Sequence, residues 1–126
     1  MIAYFDTNAL LWLSEGSLAG LSPRIDRLLE QADLLFSPMV FLELEYLYEI
    51  RRSKRPARDI QSKVAQELGV RVCDLPFPAI ASAALDEKWT RDPFDRLIVA
   101  NAKANGFAWL ISADESMRKH YPRTVW

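Results

Sequence analysis

The sequence contains a single cysteine and a single histidine, and these two scarcities exclude several common chemistries. Cys73 has no second cysteine to pair with, so the chain forms no internal disulfide. Its position in an apolar run indicates a buried structural thiol. His120, the one histidine, cannot provide the clustered ligands of a His/Cys zinc site. The same scarcity disfavours a Ser–His or Cys–His nucleophilic pair.

Long apolar runs and a strong charge of either sign are also missing. No run approaches the ~20 apolar residues that cross a bilayer as a helix, and the N-terminus lacks the basic region of a signal peptide. The formal net charge of −1 does not indicate a nucleic-acid partner, although a local patch could bind one. We therefore expect one soluble, cytoplasmic domain over residues 1–126, with no membrane segment.

Apolar runs alternate with helical patterns along the chain. Ser22-Pro23 and Ser37-Pro38 each place a capping residue before a proline at the first helical position, and Gly69 marks a helix end. Strands are predicted at Ile2–Phe5, Leu34–Phe36, Val70–Cys73, Ala108–Ile111 and, as an edge strand, Thr124–Trp126. Helices are predicted at Thr7–Leu13, Pro23–Gln31, Pro38–Ile50, Ala57–Leu68, Ala79–Leu85, Phe94–Asn105 and Glu115–His120. This order predicts an α/β fold with three layers, α/β/α, around a central parallel sheet of four to five strands.

Two acidic residues lie just beyond predicted strands. Asp6 ends the first apolar run, and Asp114 follows the fourth strand after two small residues. In parallel sheets, ligands bind in the crevice outside the carboxyl ends of the strands. We therefore expect both carboxylates to point into that crevice.

Helical geometry distinguishes the three glutamates of the long helix. At about 100° per residue, Glu43 shares a face with Met39 and Leu47, whereas Glu45 and Glu49 fall on the opposite side. The sequence therefore predicts that Glu43 faces inward and that the other two face solvent.

Asp95 shows a similar pattern on a later helix. It shares an apolar stripe with Ile98, Val99 and Ala102, and it lies in the first turn, where the helix dipole favours negative charge. Asp92 is close enough to join the same site or to cap that helix.

Taken singly, Asp6, Asp92 and Asp114 are explained as helix caps. Taken together, four acids at one end of one sheet, with no obvious Lys or Arg partners, indicate a bound cation. Oxygen ligands select Mg²⁺ or Mn²⁺. Such ions activate water and stabilise the charge that develops on a phosphodiester under attack. We expect metal-assisted hydrolysis by water, without a covalent intermediate.

Four sequence blocks occur in order: Phe5-Asp6-Thr7-Asn8-Ala9-Leu10-Leu11-Trp12, the helix start Ser37…Glu43, Arg91-Asp92-Pro93-Phe94-Asp95-Arg96 and Leu110-Ile111-Ser112-Ala113-Asp114. Together they resemble the PIN domain, and most of all the VapC-like toxins of type II toxin–antitoxin modules. The similarity extends over essentially the whole chain.

This resemblance implies a Mg²⁺- or Mn²⁺-dependent endoribonuclease that forms a homodimer. It further implies a cognate antitoxin whose C-terminal segment blocks the site. It assigns catalysis and metal binding to four acids and an additional metal-binding role to a fifth, and it matches two polar residues beside them. The four acids are Asp6, Glu43, Asp95 and Asp114, the fifth is Asp92, and the polar residues are Asn8 and Ser112.

Several weaker signals allow two interpretations. Arg91 and Arg96 flank the acids and are candidates for phosphate contact, although Arg96 could instead pair with an acid. Six basic residues follow the long helix and either bind RNA phosphates or form a solvated connection. They are Arg51, Arg52, Lys54, Arg55, Arg58 and Lys63. The four tryptophans, Trp12, Trp89, Trp109 and Trp126, are better explained by packing than by base stacking.

The long helix has more apolar residues than one core face needs. They either form a partner surface or are buried beneath the next helix, and they are Leu42, Tyr46, Leu47, Tyr48 and Ile50.

Three other functions agree less well with the sequence than a nuclease does. A phosphatase that forms an aspartyl-phosphate needs an acid two residues after the first, where Asn8 stands. A phospho-receiver module needs an acceptor aspartate, for which Asp74 is the only candidate, and a late lysine that the chain lacks. A catalytically silent RNA- or protein-binding scaffold predicts the loss of at least one acid, and none is lost.

Overall fold

A five-stranded, entirely parallel sheet forms the centre of the computed structural model, which describes residues 1–126. The strands are β1 (Ile2–Phe5), β2 (Asp33–Phe36), β3 (Arg71–Val72), β4 (Trp109–Ile111) and β5 (Thr124–Val125). The helices are α1 (Thr7–Ser14), α2 (Pro23–Gln31), α3 (Pro38–Glu49), α4 (Ala57–Leu68), α5 (Phe77–Ala84), α6 (Pro93–Ala104) and α7 (Glu115–His120). The predicted parallel sheet flanked by helices is therefore confirmed.

Local signals set the helix boundaries as expected. Ser22 and Ser37 accept hydrogen bonds through their side chains from backbone N–H groups in the first turns of α2 and α3, each at 3.2 Å. Gly69 ends α4 with φ at +68°, a left-handed conformation that few other residues adopt readily. The start of α5 differs by two residues from the prediction, because Pro78 lies in the first turn, where proline is tolerated.

The strand order β3-β2-β1-β4-β5 places β1 at the centre of the sheet. From β1 the chain first builds outward through β2 and β3, and it then returns to pair β4 on the other side of β1. The carboxyl ends of β1 and β4 therefore form the topological switch point, where α/β proteins bind their ligands. The Asp6 N–H donates to the Ile111 carbonyl at 3.1 Å and ties these two strand ends together.

The core contains a polar network beneath the sheet. The Tyr4 hydroxyl donates to the Cys73 thiol at 3.1 Å and accepts from the side-chain amides of Asn101 and Asn105 at 3.1 and 2.7 Å. Burial, above all, raises the pKa of Tyr4 well above its ordinary value. Cys73 is a buried free thiol, which confirms its structural interpretation. The network connects β1 to α6, the helix that carries Asp95.

None of the helices is both long enough and apolar enough to span a bilayer.

Replacing Tyr4 with phenylalanine tests this network. The change removes the acceptor of Asn105 and one of the two acceptors of Asn101, whose amide also donates to the Cys73 sulfur at 3.1 Å. An unsatisfied buried donor costs about 1–3 kcal/mol. We expect Tyr4→Phe to lower the free energy of unfolding in urea by that amount. Tyr48→Phe, which removes a hydroxyl from an exposed side chain, should change it by less than about 0.5 kcal/mol. Equal effects of the two variants would contradict a stabilising role for the network.

Candidate acidic site

Asp6 is the most buried of the five candidate site acids, with only 6% of its surface exposed. Its Oδ1 accepts from the Ala9 N–H at 2.8 Å and caps α1, while Oδ2 accepts from the Ser112 hydroxyl. Burial raises the pKa of Asp6 to about 6, although both hydrogen bonds favour the charged form. The charges of Asp114 and Glu43 raise this pKa further. Asp6 is therefore a helix cap and also a member of a charged cluster.

Ser112 joins the ends of the two central strands. It lies directly after β4 and is fully buried. While its hydroxyl donates to Asp6, its oxygen accepts from the Asp114 N–H at 3.0 Å. The predicted polar residue beside the last acid thus orients the first acid and the chain segment that carries the last.

Asp114 differs from Asp6, Glu43 and Asp95 because its side chain is exposed. Its Oδ1 accepts from the Met117 N–H at 2.9 Å and caps α7. Although the Asp114 carboxylate reaches solvent, it lines the same crevice as Asp6, which agrees with the expectation that both carboxylates point into it.

Glu43 lies at the edge of the buried face of α3. The residues of α3 most deeply in the core are Val40 and Leu44, one position round from the predicted stripe, so Glu43 is half-buried. It accepts a hydrogen bond from the Thr7 hydroxyl, which fixes its orientation. Burial is the main cause that raises its pKa, and repulsion from Asp92 adds to this rise.

The prediction that Glu45 faces solvent is wrong. Glu45 is partly buried, and its Oε1 accepts from the Ala57 N–H at 3.0 Å, which caps α4 from a neighbouring helix. Proline at the position before α4 has no side chain that can cap, so the cap comes from outside the segment. Glu49 is exposed, as expected.

Asp95 and Asp92 begin α6. Asp92 is exposed, and its Oδ1 accepts from the backbone N–H groups of Phe94 and Asp95 at 2.8 and 3.3 Å. Burial raises the pKa of Asp95 to about 7, and repulsion from Asp92 is the next largest cause. Asp114, Glu43 and Asp6 raise the same pKa further, so five acids act on one another electrostatically.

These groups surround one cleft of about 660 Å³ at the switch point. We call it the acidic cleft and define it by four of its lining residues, Asp6, Glu43, Asp95 and Asp114. Asn8 also lines it, whereas Asp92, Arg91 and Arg96 do not. Thr7 and Arg52 also line the cleft. Thr7 lies within the Asp-Thr-Asn block but is not predicted as a site residue, and Arg52 is predicted only as part of the basic stretch.

No lysine or arginine forms an ion pair with any of these acids. The single salt bridge of the protein joins Lys103 to Glu87, at 2.5 Å. Arg96 instead donates through Nε to the Thr90 carbonyl at 2.8 Å, so its suggested pairing with an acid is wrong. The four acids are therefore not neutralised by ion pairs, and Arg52 is the one cation in the lining. Such an excess of negative charge favours a bound cation.

The acids do not form a closed cage. No three acidic, histidine or cysteine side chains are placed to hold an ion directly between them. This does not conflict with a hydrated ion, because Mg²⁺ keeps several waters and takes only one or two protein carboxylates. The oxygen-only donors and their mutual repulsion fit such an ion.

The four tryptophans make packing contacts. Trp12 and Trp126 lie with ring centroids 5.3 Å apart, and Trp89 stacks on His120 at 5.2 Å. Trp109 lies beneath the Arg123 guanidinium, 5.1 Å from the ring centroid. Only Trp12 reaches the acidic cleft.

An all-parallel α/β sheet with acids gathered at its switch point defines a PIN-like α/β/α protein. The chain belongs to the PIN domain family, which matches residues 3–121. PIN domains are generally nucleases, and they typically use divalent metals.

Solved structures have the same fold. A VapBC2 complex from Rickettsia felis bound to a promoter DNA fragment aligns with TM-score 0.65 and 19% identity, covering 99% of this chain and 96% of that one. A toxin–antitoxin complex from Klebsiella pneumoniae aligns with TM-score 0.63 and 20% identity, covering 98% and 96%. No curated protein sequence matches significantly.

The raised pKa of Asp6 predicts a specific pH dependence in metal-free protein. Folded Asp6 keeps its proton up to about pH 6, whereas the unfolded chain loses it near pH 4. The stabilisation that protonated Asp6 contributes to the folded state is therefore fully present below pH 4, and it is lost as the pH rises through 6. Asp6→Asn cannot ionise, so its unfolding free energy relative to wild type should rise by on the order of 3 kcal/mol between pH 4 and pH 8.

The measurement is urea unfolding in EDTA across that pH range. Asp74→Asn, an exposed aspartate outside the cleft, serves as the control and should follow wild type throughout. A constant difference between wild type and Asp6→Asn at all pH values would show that burial of Asp6 carries no electrostatic cost.

Proposed function

We propose that this protein is a Mg²⁺- or Mn²⁺-dependent endoribonuclease, the VapC-like toxin of a type II toxin–antitoxin module, acting in the cytoplasm. One observation carries the proposal: four acids line one cleft at the switch point, and no ion pair neutralises them. Membership of a family of nucleases supports the hydrolytic chemistry. The aligned toxin–antitoxin complexes support the biological setting.

Asp6, Glu43, Asp95 and Asp114 would hold the metal, one or two of them directly and the others through its bound waters, with Asp92 as an additional acid at the rim. When bound, the ion supplies an activated water and stabilises negative charge on the attacked phosphodiester. Ser112 keeps Asp6 oriented and Thr7 keeps Glu43 oriented, because each donates a hydroxyl hydrogen bond to the carboxylate. One oxygen of Asp6 accepts the Ser112 hydrogen bond, and the other accepts the Ala9 N–H and caps α1. This carboxylate therefore has little freedom to rotate.

The substrate contacts we propose are polar groups at the rim. Asn8 is exposed in the cleft lining and offers an amide donor and acceptor. Arg91 is exposed and free to reach a phosphate. Arg96 is partly buried and bonded to Thr90, so it stabilises the loop before α6 more than it contacts substrate.

A protein partner is supported by the surface of α3. Burial under α4 does not account for its extra apolar residues, since Leu42 and Tyr46 are 57% and 51% exposed and Tyr48 and Ile50 are also exposed. Tyr46 and Ile50 additionally line the acidic cleft. A cognate antitoxin segment that covers this face would bury apolar surface and obstruct the cleft. A second copy of the chain is the other proposed partner, as a homodimer.

Cleavage of RNA by the purified, antitoxin-free chain tests the activity. We expect hydrolysis in Mg²⁺ or Mn²⁺, none in EDTA, and a loss of about 100-fold or more in Asp6→Asn and Glu43→Gln, because charge stabilisation by a bound ion contributes several kcal/mol. Glu49→Gln changes an exposed glutamate of the same helix and should retain full activity. The measurement is the initial cleavage rate on several RNA pools.

Intact RNA in every pool, with protein shown to be folded by circular dichroism, would favour the silent binding scaffold. Cleavage that persists in Asp6→Asn would indicate a contaminating nuclease.

Metal binding can be measured without activity. A ligand at 100 times its dissociation constant stabilises the folded state by about 2.7 kcal/mol. We expect saturating Mn²⁺ to raise the thermal midpoint of wild type and Glu49→Gln equally, and that of Glu43→Gln much less. Equal shifts in all three proteins would place the ion outside the acidic cleft.

A further inference from the structure

A second groove, of about 470 Å³, adjoins the acidic cleft. The two share Leu11 and Arg52 in their linings, so they are continuous on the surface. We call the second one the basic groove and define it by four of its lining residues, Arg52, Lys54, Arg55 and Lys63. The protein thus places a positive surface directly beside a negative one, although its net charge is only −1.

The positive charge of the groove is not matched within the protein. None of its four cations makes a salt bridge, and Glu15 is the only acid in the lining. Like charges gathered without internal partners repel one another and weaken the folded state. An external anion would relieve that repulsion.

Arg52, Lys54 and Arg55 lie on the loop between α3 and α4, which is held in place by hydrogen bonds, and Lys63 lies on α4. The Arg52 and Ser53 N–H groups both donate to the Leu47 carbonyl at the end of α3, at 2.8 and 3.2 Å. The buried Ser53 hydroxyl donates to the Arg55 carbonyl at 3.1 Å. Glu45 then fixes the start of α4 through Ala57. The backbone beneath the cations is therefore preorganised, which lowers the entropic cost of binding.

Two of the six basic residues that follow α3 lie outside the basic groove. Arg51 and Arg58 are exposed and do not line the groove, whereas Lys54 and Arg55 do. The tertiary structure therefore places four of the six basic residues in the groove and two outside it, although each carries the same single charge.

We propose that the basic groove binds backbone phosphates of the RNA strand whose scissile bond lies in the acidic cleft. This inference rests on the proposed function. A single strand carries a phosphate at every nucleotide, and a preorganised row of cations beside the cleft matches that regular charge. The groove would hold the strand on one side of the cleaved bond and determine the direction in which it enters.

The groove suits a phosphate backbone better than a protein segment. Leu11 and Ile60 are the only apolar side chains in its lining. Protein interfaces depend on a buried apolar or aromatic anchor, which such a lining does not accommodate. The alternative occupant, an acidic peptide of a partner protein, is an outcome of the test below.

The test compares two charge-matched double variants in an Asp6→Asn background, which removes cleavage during the measurement. Lys54→Gln/Arg55→Gln removes two groove cations, and Arg51→Gln/Arg58→Gln removes two cations outside it. The probe is a fluorescent single-stranded RNA of roughly 12 nucleotides, within the range of known single-strand sites. Binding is measured from 50 to 300 mM KCl, and circular dichroism checks that both variants fold.

In the groove variant, the plot of log affinity against log salt should become shallower by about 1.4, because each lost phosphate contact contributes about 0.7 to the magnitude of the slope. Binding should weaken by about 25-fold at 0.1 M salt. The control variant should change affinity by less than about threefold. Equal losses in both variants, or none in either, would overturn the inference. So would a groove variant that binds RNA normally but loses an acidic peptide.

Cleavage is measured in parallel with Mn²⁺ for the parent protein, which retains Asp6, and for both double variants made in that parent. If all three cleave RNA at the same rate, the proposed role of the basic groove is contradicted and the proposed nuclease activity is not. RNA that the parent protein neither binds nor cleaves contradicts both.

Discussion

The central constraint on this structure is the parallel pairing of β1 with β4, which gathers mutually repelling carboxylates at the carboxyl ends of the two strands. Parallel pairing of these strands brings Asp6 and Ser112 together, and the helices that follow or cross them add Glu43, Asp95 and Asp114. Burial and mutual charge raise the pKa of Asp6 to about 6 and that of Asp95 to about 7. No lysine or arginine forms an ion pair with any of these acids. The surrounding core offsets the cost of gathering these charges, and a divalent ion bound as proposed would reduce that cost.

Three of the acids also perform a purely structural task. Asp6, Asp92 and Asp114 accept backbone N–H groups at the starts of α1, α6 and α7. Capping therefore does not argue against a place in the acidic cluster, because a carboxylate has two oxygens and several lone pairs. The cap fixes where each side chain lies while leaving acceptor capacity that faces the cleft. The same residues connect the local stability of the helices with the proposed chemistry of the site.

The acidic cleft and the basic groove meet at the end of α3. Leu47 anchors the loop after this helix, and Arg52 at the start of that loop lines both cavities. The apolar residues exposed on α3 extend to the same edge. One helix thus carries the acid Glu43, supports the basic loop and presents the surface best suited to a protein partner. Occupation of this helix face by a partner would therefore restrict access to both cavities.

Much of the fold was readable from local sequence, because helix caps, prolines and glycines act within a few residues. The helices Pro23–Gln31, Ala57–Leu68 and Glu115–His120 have the predicted bounds, and the α/β/α class follows from the order of elements. The four acids were also identified by pattern, since Asp6 and Asp114 follow strands and Glu43 and Asp95 interrupt apolar stripes. Their membership of one cleft agrees with that expectation.

Only the tertiary structure decided which groups meet across the chain. Helical periodicity predicts that Glu45 faces solvent, yet its side chain caps α4. The periodicity of one helix carries no information about how the next helix packs against it. Thr7 reaches Glu43 across 36 positions, and six similar cations separate into groove and non-groove residues. Local sequence determined the elements and their chemistry, since propensity and capping are short-range. The packing of distant elements determined burial, pairing and the shared edge between the two cavities, since these depend on contacts that no single segment contains.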